Sequence, residues 1–114
     1  MDDHTLTALK ASIEKWMAIE RGDGADYGPI DCALCHLFHG NCCFGCPVRA
    51  ETGAAFCQGS PYDAFNEALR HDNDGRRRRI VSIDEAPLDE APRLKRLARD
   101  EREFLESLLP AAPP

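Results

Sequence analysis

No run of apolar residues in this 114-residue sequence approaches the ~18 that a membrane-spanning helix needs, so a transmembrane protein is excluded. The start, Met1-Asp2-Asp3-His4-Thr5, lacks the basic residues and apolar core of a secretory signal, and the expected location is cytoplasmic. Aromatic residues are scarce, at 7% with a single tryptophan, so the hydrophobic core must be modest. A chain of this length buries only about 65% of its unfolded surface, which leaves little margin for folding. There is no excess of basic charge either. The formal net charge is -6, which argues against a protein whose main task is to coat nucleic acid. Internal repeats are absent, as are a Ser-His-Asp arrangement, a phosphate loop and a dinucleotide fingerprint. The expected role is therefore non-enzymatic.

What the chain does have is cysteine. Cys32, Cys35, Cys42, Cys43, Cys46 and Cys57 lie within 26 consecutive residues, and the rest of the chain has none. A disulfide scaffold gains most by closing long loops and spreads its bridges over the fold. A tight cluster without an export signal points instead to a metal site in a reducing compartment. The spacing sharpens this. Cys32-x2-Cys35 and Cys43-x2-Cys46 are two C-x-x-C units, and each tight turn can aim both sulfurs at one metal while backbone amides bond the thiolates.

Zinc is the first expectation. Four thiolates close a tetrahedral site, and such sites contribute folding free energy on the order of 10 kcal/mol. The seven residues between the units, 36 to 42, fall short of the ~15–20 of common zinc modules, so the site should be compact and loop-like. An iron–sulfur cluster is the alternative, suited by the cysteine density, the Cys46-Pro47 dipeptide and the distant Cys57. A catalytic zinc would need an open coordination position and a nearby base, which an all-thiolate set does not offer. The simplest ligand set is Cys32, Cys35, Cys43 and Cys46. Cys57 competes from its Gly-flanked turn, Cys42 is the weakest candidate, and His36 and His39 lie inside the cluster as further possible donors.

The string Cys32-Ala33-Leu34-Cys35, Cys43-Phe44-Gly45-Cys46-Pro47-Val48, Thr52-Gly53 and Cys57-Gln58-Gly59-Ser60-Pro61-Tyr62 resembles a family of small uncharacterised cysteine-rich phage and prophage proteins. The resemblance extends to an N-terminal helix ending before a Gly-Asp-rich turn, and to a C-terminal helix carrying Glu103-Phe104-Leu105-Glu106-Ser107-Leu108. It brings no activity with it. It implies that Cys32, Cys35, Cys43, Cys46 and Cys57 form the signature and that Cys42 is extra, which raises Cys57 as a ligand and favours the cluster slightly.

The chain reads as one small, mostly α domain over 1–109 with a tail at 110–114. A helix is expected over 4–21, with Leu6, Leu9, Ile13, Trp16 and Met17 on its apolar stripe. A cysteine-rich metal-binding loop follows at 30–59, with helical turns such as 33–38. A short middle helix spans 61–71, opened by Pro61 with Ser60 as its cap. A linker with the arginine run covers 72–91, with 80–83 as a short extended segment. A last helix covers 92–109, its stripe formed by Leu94, Leu97, Ala98, Phe104, Leu105, Leu108 and Leu109. The terminal helices should pack antiparallel, with the cysteine loop and the middle helix docked at one end. Trp16 is expected in the core and Tyr62 against the cysteine loop. Arg76, Arg77, Arg78 and Arg79 offer a modest phosphate-contacting footprint, making a nucleic-acid-associated accessory protein the third reading. The first is a binding or adaptor module with a protein partner and a structural metal. The second is an iron–sulfur protein in electron transfer or sensing.

Overall fold

Helix α1 (Asp3–Arg21) starts where its free amides are capped, the Asp2 side chain accepting the Thr5 N–H at 2.7 Å. It stops at Gly22, whose φ of +89° lets the amides of Gly22 and Asp23 turn back onto the carbonyls of Ile19 and Ala18. A side chain at such a φ costs ~1–2 kcal/mol, so Gly22→Ala is expected to lower the unfolding free energy by about that much in a urea titration. An unchanged midpoint and slope would contradict this. The computed structural model describes residues 1–73 and 76–111, with side chains described outside 71–78.

The periodicity of α1 points to a stripe containing Met17, yet Met17 is 43% exposed while Ile19 is fully buried. The buried face runs through Thr5, Ala8, Leu9, Ser12, Ile13, Trp16 and Ile19. It is turned and widened because α1 is covered on two sides, by α2 (Ala33–Phe38) and by α5 (Ala91–Ser107). The α1–α5 pairing is the main contact of the fold, and Arg102 of α5 donates to Glu20 of α1 at 2.6 Å across it. Pro92 sits in the first turn of α5, where its missing N–H costs nothing. The residues of α5 that are buried are Leu94, Ala98, Glu101 and Leu105, so a carboxylate stands in the middle of the apolar face.

Between the long helices the chain makes three short ones. Helix α2 occupies the expected helical turn at 33–38. Helix α3 (Pro47–Thr52) is opened by Pro47 and closed by Gly53 in the left-handed conformation. Helix α4 (Tyr62–Ala68) is shorter than the expected 61–71. Pro61, not Ser60, is the residue at its N-cap and no side chain caps it; Ser60 instead accepts the Tyr62 amide at 3.3 Å and donates to the Cys57 carbonyl at 2.6 Å. The early end of α4 has a cause in the segment read as a linker. Strands β1 (Arg70–Asn73) and β2 (Arg76–Arg79) pair antiparallel, with Arg70 opposite Arg79, and the Ile80 amide donates to the Leu69 carbonyl. The hairpin thus claims the residues expected to end the helix. Beyond it, 80–83 makes only a bridge from Ser82 to Ala25 before a 3-10 turn at Ile83–Glu85.

The fold is thus mostly helical, as expected, with one short hairpin added. Its core gathers Leu9, Ile19, Phe65, Leu69 and Leu94, with Trp16 edge-on to Phe65 at 4.9 Å and to Tyr62 at 5.7 Å. No helix among the described residues is long and apolar enough to cross a membrane.

Candidate metal centre

Three separate segments deliver thiols to one place. Cys32 is the residue before α2 and Cys35 lies one turn into it. Cys43 and Cys46 come from the turn that leads into α3, and Cys57 from the turn that leads into α4. These five line a single cavity of about 100 Å³, together with Ser12, Lys15 and Trp16 of α1, Tyr62 of α4 and Glu101 of α5. Cys42 is exposed and does not line it. All six cysteines are free thiols. Cys32 and Cys35 lie within hydrogen-bonding reach of each other, but among the described residues no three His, Cys, Asp or Glu side chains converge tightly enough to hold one metal ion.

The backbone that carries the thiols is unusual. Cys42, Cys43, Phe56 and Cys57 all have φ between +53° and +65°, a conformation L-residues avoid at a cost of ~1–2 kcal/mol each. Gly45 (φ +91°) favours glycine, since a side chain there would be strained and its Cβ would lie 3.0 Å from the Phe38 ring. These turns direct amides at sulfur. The Phe56 N–H donates to Cys43 Sγ at 3.4 Å, the Val48 and Arg49 amides serve Cys46, and the Cys35 amide serves Cys32.

The thiols perturb one another. The hydrogen bond from the Cys35 thiol, reinforced by the Cys35 amide, the Lys15 charge and Ser12, overcomes burial and brings Cys32 down to about 6. Cys35 is correspondingly raised, because it holds the proton it shares with Cys32 and is itself buried. Burial and the neighbouring cysteines push Cys57 up to about 12, and burial raises Cys46. A second acidic group joins them. Burial, then the charge of Cys32, pushes Glu101 up to about 8. Among the described residues, its Oε2 is the one buried side-chain oxygen or nitrogen without a hydrogen-bond partner.

One flank of the cavity is held by a network around Asp26, which is completely buried. Its carboxylate accepts from Lys15 Nζ at 2.8 Å, Tyr62 Oη at 2.7 Å, Arg79 Nη2 at 2.5 Å and the Gly28 amide at 3.1 Å. Lys15 also donates to Asp31 at 2.8 Å, and Arg79 to Asn66 at 2.9 Å and to the Asp26 carbonyl at 2.8 Å. The last arginine of the run therefore faces inward. The side chains of Arg76, Arg77 and Arg78 lie outside those described.

Of the possible histidine donors, His39 lines the cavity against Phe56, at 5.1 Å between ring centres. His36 does not line it, and its Nε2 is 2.6 Å from the Ile30 carbonyl. Sequence reasoning passed over Glu101, Asp26, Lys15 and Ser12. Glu101 did leave a signal, because 94, 98, 101 and 105 step along α5 at helical spacing. Asp26 left none beyond its place in a turn-forming stretch.

Comparison with known proteins gives no relative: no family model, curated protein or solved structure matches the chain.

Proposed function

We propose that this chain is a non-enzymatic binding module of the reducing cytoplasm, organised by a metal centre on Cys32, Cys35, Cys43, Cys46 and Cys57. The observation that carries the reading is the arrival of these five thiols, from three separate segments, around one cavity. Such a set cannot all ionise in a buried space without a cation, and ligation by metal deprotonates thiols outright. The amides turned toward Cys32, Cys43 and Cys46 support the same chemistry. A binding role is supported by apolar side chains left in water along the same loop, Ile30, Leu37, Phe44 and Phe56, and by Tyr27 just before it.

Composition and spacing put zinc first. The geometry favours the other candidate, an iron–sulfur cluster. A single zinc ion draws four sulfurs to ~2.3 Å of one point, and among the described residues no three donors converge that tightly, whereas a cluster spreads its thiolates over two or more irons. The test is elemental analysis with an absorption spectrum on untagged protein purified without oxygen. Iron with matching inorganic sulfide and broad visible absorption is the expected result. About one zinc per chain in a colourless sample would keep the metal centre and replace the cluster. A metal-free protein that takes up neither zinc nor iron and sulfide would overturn the reading.

A further inference from the structure

The cavity has one wall that the cysteines do not explain. Glu101 is 3% exposed, in the middle of the apolar face of α5, between Ala98 and Leu105. Its Oε2 has no hydrogen-bond partner, although nearly every buried polar atom in a folded protein has one. Lys15, the nearest cation on the cavity wall, is taken by Asp26 and Asp31. Arg102, the next residue on α5, is taken by Glu20 and Glu106. The Tyr62 backbone amide serves the Glu101 carboxyl, which leaves Oε2 as the atom without a partner, and ionising a group so buried is costly unless a cation meets it. Its neighbours in the cavity are thiols, with Cys32 and Cys57 close enough to act on it electrostatically.

We propose that Glu101 is a ligand of the metal centre, so that α5 supplies an oxygen donor to a site otherwise built of sulfur. The inference rests on the metal-centre reading above. A cavity of about 100 Å³ lined by five thiols leaves room for a centre of more than one metal atom, and the unpartnered oxygen then meets one of those atoms. The mixed donor set has a structural consequence. The cysteines belong to the loop, and Glu101 belongs to the long helical pair. Ligation by both ties the loop to α5 through the metal, in addition to the hydrogen bond that the Tyr62 amide gives Glu101.

The test uses the full chain, stripped and reduced, then loaded without oxygen with ferrous iron and inorganic sulfide, and in parallel with zinc alone. Metal retained against a competing chelator is compared for the unsubstituted protein, Glu101→Gln and Glu101→Cys, and the metal-free forms are unfolded in urea. Glu101→Gln keeps the shape and removes the ligand. Its metal affinity should fall at least tenfold, while its metal-free form is as stable as the unsubstituted protein or more so. Glu101→Cys should regain part of the affinity, since it restores a ligating side chain. An affinity for Glu101→Gln within twofold of the unsubstituted protein would overturn the inference and leave the metal centre standing. So would a metal-free Glu101→Gln that is clearly less stable, which would make the residue structural. Failure of the unsubstituted protein to take up either metal would overturn the metal centre itself, and the inference with it.

Discussion

Stripping the metal from the reduced protein with a chelator is expected to lower its melting temperature by ~20–40 °C and to open the cysteine loop to amide exchange. The size follows from two estimates. A structural thiolate site contributes on the order of 10 kcal/mol to folding. In a domain of this size each kcal/mol moves the midpoint by ~4 °C, so between half and all of that contribution gives the stated drop. The location follows from the loop itself. Its thiol-bearing turns hold four non-glycine residues at positive φ and leave Phe44 and Phe56 at least half exposed. Little apolar burial at these exposed tips opposes the backbone strain, and the proposed metal centre would supply what packing there does not. Exchange should accelerate first at 39–46 and 53–60, while the α1–α5 pair, with Leu9, Ile19 and Leu94 fully buried, keeps the slowest amides. Cys43→Ser and Cys46→Ser should reproduce the loss. Cys42→Ser should stay within about 0.5 kcal/mol of the unsubstituted protein, because its thiol is exposed and off the cavity. A melting temperature indifferent to complete metal removal would show that the loop is held by packing alone.

The cysteines of the proposed centre were legible in the sequence and Glu101 was not, for a physical reason. Two C-x-x-C units are local, so their spacing alone constrains where the sulfurs can point. The helices were legible in the same way. Asp2, Gly22, Pro92 and the apolar periods are local signals, and α1, α2 and α5 lie close to where they point. The hairpin was hidden because Arg70 to Arg79 has no alternation of apolar and polar residues, and its pairing leaves no mark of its own in composition. Asp26 and Glu101 were hidden for a deeper reason. Each is buried by partners distant in sequence, Asp26 by Lys15, Tyr62 and Arg79, and Glu101 by α1 and the cysteine loop. An isolated carboxylate in a sequence reads as a surface residue until the chain is folded around it.

Asp26→Ala is expected to cost ~3–5 kcal/mol, the range for removing one partner of a buried ion pair. The carboxylate is completely buried and joins four elements of the fold: α1 through Lys15, its own loop through Gly28, α4 through Tyr62, and β2 through Arg79. Lys15 keeps Asp31 and Arg79 keeps Asn66, so neither cation is wholly stranded, and the loss should fall at the lower end of that range. Burial alone would raise the Asp26 carboxyl, but the Lys15 charge and the hydrogen bonds from Lys15, Tyr62 and Gly28 outweigh it and hold it below its ordinary 3.8. The unfolded chain therefore binds the extra proton first. Asp26 stabilises the fold fully above that ordinary value, and the contribution is lost as pH falls through the lower folded value. Lys15 is the mirror case. Asp26 outweighs burial and raises it above 10.5, so its contribution is complete below that value and is lost as pH rises through the folded one. The stability difference between the unsubstituted protein and Asp26→Asn, measured in urea across pH, should be flat between these limits and shrink at the acid end. A difference that stays constant down to pH ~2 would mean that Asp26 does not titrate below its ordinary value. Because Lys15 and Tyr62 also line the thiol cavity, Asp26→Ala should weaken metal retention as well as the fold. Equal loss of stability in the metal-loaded and metal-free forms would separate the two, leaving the network as scaffold and the thiols as an independent clamp.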